Sequence, residues 1–417
     1  MRRRRRSTRY PSRIRHLLPW VPALLVAVAA IWLTVAVSWV NITRHSRPEL
    51  ALRVMPFDAP AMAFAAEKQI ERSQANGPRD IPPEAERLAR EALSRDPTLV
   101  VAWRTLGLFA AARRDSATAV RLFQIAQRIS RRDVPTQLWL IEESVQRNDI
   151  PSALRHYDIA LRTSPESFDL LLPILVSAIR SPGVAEPLAR LLHADPPWRR
   201  DFFIKMAQQP PPGDAAVHLL QQLRQYGPIA DRDMVAQLVA ASVAAREYRP
   251  AMELYGLISP RPADRLLLVR NGGFERDNEI PPLDWKLEQR GDLGATQQER
   301  TPGGGHVLQV FALNGAAGLV ASQLTLLAPG NYVLATRSGA MEGAQPAQLV
   351  WNLSCAGGQV VLLAAAARLG GPTGQANEAG FVVPPNCPAQ LLTLSVGWSD
   401  EPEGVRAWVD DVEVRRR

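Results

Sequence analysis

The chain has 417 residues, 46% of them apolar, which suffices for packed cores in about two or three domains and excludes wholesale disorder. Lys plus Arg number 49 against 41 Asp plus Glu, but eight arginines (Arg2 to Arg6, Arg9, Arg13 and Arg15) lie within residues 1–16, and beyond them the two counts are equal. A neutral body behind one basic tail excludes nucleic acid as the expected partner. Residues 17–40 then run without a charge, long enough to cross a hydrocarbon core of about 30 Å as a helix. Only Arg44 and Arg47 closely follow, so the positive-inside bias places the tail in the cytoplasm and everything after about residue 41 outside. The alternative is a cleaved signal peptide, since Ala36-Val37-Ser38 offers small residues at a peptidase's spacing. The apolar run exceeds the usual roughly 7–15 residues of such a peptide and favours an anchor.

Residues 56–260 read as helices with short breaks. Ala85, Ala119 and Ala153 recur every 34 residues, as do Ala89, Phe123 and Tyr157, and Ala92, Ala126 and Ala160. The second unit also carries Trp103, Leu106 and Gly107 as W-x2-L-G. Small residues let paired helices approach while Phe123 or Tyr157 fills the groove, and Gly107 clears the crossing. This pattern is similar to the tetratricopeptide repeat, in units at 64–97, 98–131 and 132–165, with later units degenerate and broken by Pro196-Pro197 and Pro210 to Pro212. The resemblance implies a solenoid of five to six helix pairs that binds a protein partner; a rigid spacer is the alternative. Arg104, Arg113, Arg114, Arg121, Arg128, Arg131 and Arg132 cluster here, either for an anionic partner or as a solvated face.

From residue 266 glycine rises and short alternations appear, at 266–270, 306–312, 319–327, 332–338, 348–355, 360–366, 380–383, 390–397 and 406–414. Nine such strands indicate a β-sandwich over 266–417. Asn271-Gly272-Gly273-Phe274-Glu275 with Asp284-Trp285, the turn at Ala328-Pro329-Gly330-Asn331, and Trp408-Val409-Asp410-Asp411-Val412 resemble the galactose-binding-type jelly roll of carbohydrate-binding modules. That resemblance implies a structural calcium held by Glu275 with Asp410 or Asp411, the alternative being a solvated turn and an acidic strand end. For sugar contacts it leaves Gln348 and Asn352 on the polar phase and Trp408 of ambiguous phase. Trp351 and Trp398 alternate with apolar neighbours and are expected in the core.

Cys355 and Cys387, the only cysteines, can pair in an oxidising compartment, a closure worth roughly 3–4 kcal/mol, or stay as two buried thiols. No G-x-S-x-G, H-E-x-x-H or phosphate loop occurs, and Asp400, Glu401 and Glu403 are carboxylates in a Pro/Gly loop. The expected protein is therefore multidomain: a basic tail (1–16), a transmembrane helix (17–40), an all-α tetratricopeptide-like solenoid (56–260) and an all-β jelly-roll sandwich (266–417). It resembles non-enzymatic accessory proteins of bacterial surface-polysaccharide assembly, with the body on the periplasmic side of the inner membrane. A lectin on a helical stalk is the first alternative and a glycan hydrolase the second.

Overall fold

The computed structural model describes residues 20–76, 82–259, 267–300, 304–341, 348–358, 360–371, 373–398 and 404–417. The basic tail and the carboxylates Asp400, Glu401 and Glu403 lie outside these residues. Among those described, 14 helices precede ten strands, in two compact units, Met1–Ser167 and Phe168–Arg417. The division thus falls inside the helical region.

In the first unit α1 (Trp20–Thr43) contains the stretch Pro22–Thr43, of mean hydropathy 2.4 and the one described helix long and apolar enough to cross a membrane. Its end packs through Val40 on Ala51 and Ala61, from α2 (Pro48–Val54) and α3 (Ala59–Asn76). Then come α4 (Pro83–Arg95), α5 (Val100–Ala112), α6 (Ser116–Ile129), α7 (Val134–Gln146) and α8 (Ile150–Thr163). Helices α3 and α4, α5 and α6, and α7 and α8 pack as hairpins, one in each 34-residue interval. Two of the hairpin turns are alike: Arg114 and Asn148 take left-handed backbone at φ 61° and 56°. The following Asp115 and Asp149 cap the next helix, each accepting from an amide at 3.1 Å, that of Thr118 or Ser152.

The spaced alanines Ala85, Ala89, Ala92, Ala119, Ala126, Ala153 and Ala160 are all buried, as are Phe123, Tyr157 and Leu106. A Cβ on Gly107 would lie 2.7 Å from the Phe123 ring, so its missing side chain is what lets α5 meet α6. Phe123 in turn stacks on Trp139 of α7 at 4.0 Å, and the Trp103 indole donates to the Pro97 carbonyl at 2.8 Å. Arg104 departs from its sequence neighbours: it is buried and bridges Glu67 of α3 and Asp133 at the start of α7. It therefore belongs neither to a solvated face nor to an anion site.

His156 of α8 is 9% exposed, with Nδ1 3.0 Å from the side chains of both Gln127 and Gln137. Burial, aided by Arg155, lowers its pKa to about 4. Because the folded pKa is depressed, the unfolded chain binds the extra proton between about pH 6.5 and 4, and stability is lost as pH falls through that window. Between pH 7 and pH 5 the loss is expected to be about 2 kcal/mol. Thermal unfolding of wild type and His156→Gln checks this: the variant should lack that share of the acid sensitivity, and identical slopes refute it.

The second unit begins with α9 (Phe168–Ala178), α10 (Ala185–His193), α11 (Arg199–Gln208), α12 (Gly213–Arg224), α13 (Arg232–Ala244) and α14 (Tyr248–Ile258). Here α9, α11 and α13 pack in one row and α10, α12 and α14 in another. The final helix grips the sandwich: Tyr255 donates to Asp284 at 2.9 Å, and its ring lies 5.4 Å from the buried Arg270 guanidinium. Burial and the Asp284 carboxylate push the Tyr255 hydroxyl pKa well up.

Strands β1 (Lys286–Leu287), β2 (Leu293–Glu299), β3 (His306–Ala312), β4 (Gly318–Thr325), β5 (Gly330–Ala340), β6 (Leu349–Cys355), β7 (Val361–Ala367), β8 (Gln375–Val383), β9 (Gln390–Val396) and β10 (Val405–Arg416) follow. They pair antiparallel as two five-stranded sheets, β1-β4-β9-β6-β7 and β2-β3-β10-β5-β8. Trp285, Trp351, Leu308, Leu394 and Val409 fill the space between them. Cys355 and Cys387 form a disulfide with Cα atoms 5.4 Å apart, tying the end of β6 to the approach to β9. Four strand expectations need correction, the first being the two-residue β1, which no alternation marks. Residues 267–270 are not a strand, because Arg270 anchors through side-chain and backbone bonds to Gln323 and Leu283 instead. Strand β2 and the first half of β8 are strands without apolar alternation, Gly294-Ala295-Thr296-Gln297-Gln298 and Gln375-Ala376-Asn377-Glu378, which periodicity alone passes over.

Candidate functional site

The residues of the jelly-roll signature serve the sandwich itself. Asn271 and Phe274 both take left-handed backbone, at φ 50° and 54°. The Asn271 carboxamide donates to the Arg276 carbonyl at 2.7 Å, and the Asn271 main-chain carbonyl accepts from Trp285 Nε1 at 3.2 Å. Phe274 is buried 5.5 Å from the Trp285 ring. The loop thereby pins β10, whose Val412 amide donates to Gly272 at 2.9 Å.

Glu275 and Asp410 converge on Gly273: Glu275 Cγ and Asp410 Oδ1 lie 3.8 and 3.9 Å from where a Cβ on that glycine would sit. Glu275 accepts from the His306 amide at 2.9 Å and meets its ring Nδ1 at 3.1 Å, contacts that hold its carboxyl pKa down. Asp410 is pushed the other way, chiefly by desolvation, with the Asp411 and Glu275 charges adding to it. The Asp411 carboxylate pairs with Arg337 at 3.3 Å, while its amide donates to Asp410 Oδ1 at 2.7 Å. Two carboxylates, one of them committed to His306, are what the side chains offer a hard cation, and among the described residues no three His, Cys, Asp or Glu cluster as metal ligands.

The three expected sugar contacts lie on different sheets. Trp408 is on β10, opposite Gln309 and Gly339. It is only 6% exposed: Arg300 covers its ring at 4.5 Å, and a Cβ on Gly374 or Gly339 would strike the indole at 2.2 or 2.7 Å. The two glycines make room for a packed side chain, so Trp408 is a wall element and not a stacking surface. Gln348 and Asn352 are on the other sheet and share its outer face with Thr393 and Ser395 of β9, Asn352 standing opposite Thr393.

Beside Gln348 stands the aromatic that period-two phasing places inside. Strand β9 ends at Val396 and Gly397 turns the chain, so Trp398 does not continue the inward phase and is 64% exposed. The Gly397 amide donates to the Gln348 carbonyl at 2.7 Å, and Trp398 Nε1 lies 4.0 Å from the Cβ position of Gly315. Leu313 is 55% exposed and Leu319 38% exposed on the adjoining segments. An open indole thus follows the end of β9, whose outer face carries Thr393 and Ser395 opposite Asn352 and Val350 of β6.

No protein-family model matches the chain, and no curated protein matches it. Solved structures resemble its C-terminal region. One is a carbohydrate-binding module, CBM61, in complex with beta-1,4-galactotriose, at 16% identity over 36% of this chain and 99% of that one, with a TM-score of 0.27. Another is the CBM22-1 xylan-binding domain from Paenibacillus barcinonensis Xyn10C, at 14% identity over 35% and 91%, TM-score 0.26. A third is a putative sugar binding protein from Bacteroides thetaiotaomicron, at 10% identity over 36% and 100%, TM-score 0.28. Nothing about a ligand follows from likeness at this level.

Proposed function

We propose that this chain is a membrane-tethered glycan-binding adaptor whose sandwich holds a polysaccharide on the outer face of the β1-β4-β9-β6-β7 sheet. The carrying observation is Trp398, 64% exposed, one residue beyond Gly397, whose amide donates to the Gln348 main-chain carbonyl. A sugar ring offers an apolar face to an indole and hydroxyls to carboxamides, and the strip through Gln348 and Asn352 supplies both kinds of contact. A pair four residues apart on one strand is separated by about 13 Å, so the strip suits a chain better than a single unit. The α1 helix supports an anchor, and the Cys355–Cys387 bridge supports an oxidising compartment such as the bacterial periplasm. The expected role is non-enzymatic, in surface-polysaccharide assembly or export. A structural calcium would draw on Glu275 and Asp410, whose mutual repulsion a cation would relieve.

A protein partner on the helical hairpins, which are similar to tetratricopeptide repeats, is favoured by a groove of about 740 Å³ across α4, α5 and α6. Leu93, Trp103 and Phe109 line it, with Arg90 and Arg113 at its rim.

Binding of the full-length chain in detergent to an array of bacterial polysaccharides tests the sandwich reading. Trp398→Ala is expected to weaken the response at least tenfold, about 1.4 kcal/mol. An undiminished response, or no response from wild type, overturns the reading.

A further inference from the structure

The two sheets part at one edge, where β7 closes one and β8 the other. Trp351 and Ala365 face each other across β6 and β7, and Thr336 and Asn377 across β5 and β8, all four on the inward phase. Elsewhere that phase is mainly apolar, with Trp285, Leu308, Leu394 and Val409 among the side chains that shut the sandwich. Along this edge it carries Ala365, Ala367, Asn377 and Gln375, and between them opens a cavity of about 270 Å³ with Trp351 and Thr336 among its lining residues. Trp351 and Thr336 are 2% and 5% exposed, whereas Ala365 and Asn377 are half-buried and Gln375 is exposed, which is the gradient of a cleft with a floor and a mouth.

Three features suit this cleft to a ligand. Asn377 is held rigidly, its Oδ1 accepting from the Arg368 amide at 2.9 Å and its Nδ2 donating to Ser338 Oγ at 3.0 Å. Trp351 keeps a buried indole N–H with no partner, a group that ordinarily costs about 1–3 kcal/mol. Glu378 on the outward phase is paired with Arg415 at 2.9 Å and Arg368, the other charged residue of the lining, is exposed, so the inner walls are carboxamide, hydroxyl, alanine and indole. The volume lies just below the roughly 300–1,000 Å³ of drug-sized sites.

We propose that the cleft between β7 and β8 binds one neutral sugar residue, free or at the end of a chain, at a site separate from the Trp398 surface. The polar half-strand of β8 and the alanine run of β7 are the two sides of this site. It stands independently of whether Trp398 binds a polysaccharide.

Saturation-transfer NMR on the full-length chain in detergent, with D-glucose, D-galactose, D-mannose and D-xylose as probes, tests the proposal. At least one probe is expected to bind saturably. Ala365→Leu, which fills the cleft, should weaken it at least tenfold, and Gln375→Ala, at an exposed position that leaves folding alone, several-fold. Trp398→Ala should leave it unchanged. Competition by the disaccharide of the bound sugar assigns the site to chain ends, and its absence to the free sugar; each supports the proposal. Absence of saturable binding by all four probes overturns it, as does binding that ignores both cleft variants.

Discussion

Replacing Arg104 with alanine is expected to destabilise the first unit by about 3–5 kcal/mol, a large share of the roughly 5–15 kcal/mol that holds a domain folded. The guanidinium is 7% exposed and joins Glu67 and Asp133, themselves 21% and 15% exposed. Burial disfavours its charge, and the Asp133 and Glu67 carboxylates more than offset that, so the net effect holds the arginine ionised. Without it two sheltered carboxylates remain with no cation between them. Asp133 has a second task, accepting from the Thr136 amide at 3.1 Å as the cap of α7, so the loss reaches the next hairpin. Arg104→Lys should fall between, because one ammonium cannot span two carboxylates as a planar guanidinium does. Urea unfolding of the full-length chain followed by far-ultraviolet circular dichroism measures this. An alanine variant within about 0.5 kcal/mol of wild type would place Arg104 among ordinary surface pairs.

The same arginine shows where sequence reading reaches its limit. The 34-residue spacing of alanines was legible because small residues at helix crossings leave a periodic trace, and Gly107 against Phe123 is the contact that trace stands for. Nothing periodic separates Arg104 from Arg113 or Arg121; its burial depends on Glu67, 37 residues away, and Asp133, 29 residues away. In the sandwich, alternation found the strands with a long apolar phase and passed over β2, whose inward side chains are only Leu293, Ala295 and Gln297, and the start of β8, where the inward side chains Gln375 and Asn377 are polar. For β8 that omission coincides with the cleft, so the missing apolar phase was itself the signal. Trp398 left the core expected for it, and Trp408, of ambiguous phase in the sequence, went inside, for two local reasons. Gly397 ends the alternation before Trp398, and Gly339 and Gly374, distant in sequence, open the space that takes in Trp408.

Gly272→Ala should unfold the sandwich or cost it more than about 3 kcal/mol, while Gly273→Ala one residue later should stay within about 0.5 kcal/mol of wild type. A Cβ on Gly272 would lie 1.9 Å from the Val412 carbonyl oxygen and 2.9 Å from its carbon. Both partners are backbone, so no side chain can swing aside. The loop cannot lift, because the Gly272 carbonyl accepts from the Val412 amide at 2.9 Å and Phe274 is buried against Trp285. Nor is β10 free to retreat, because β5 holds it on either side of its bulge, Asp410 opposite Arg337 and Glu413 opposite Ala335. A Cβ on Gly273 meets nothing nearer than 3.8 Å, an ordinary contact. The first glycine of the Asn271-Gly272-Gly273-Phe274 signature is thus required by the close passage of two chain segments, and the second is dispensable to packing. Near-ultraviolet circular dichroism of the buried tryptophans and thermal unfolding separate the two variants. Equal behaviour of Gly272→Ala and Gly273→Ala would refute the close-approach account, and loss of the tryptophan signal in Gly272→Ala alone is the expected result.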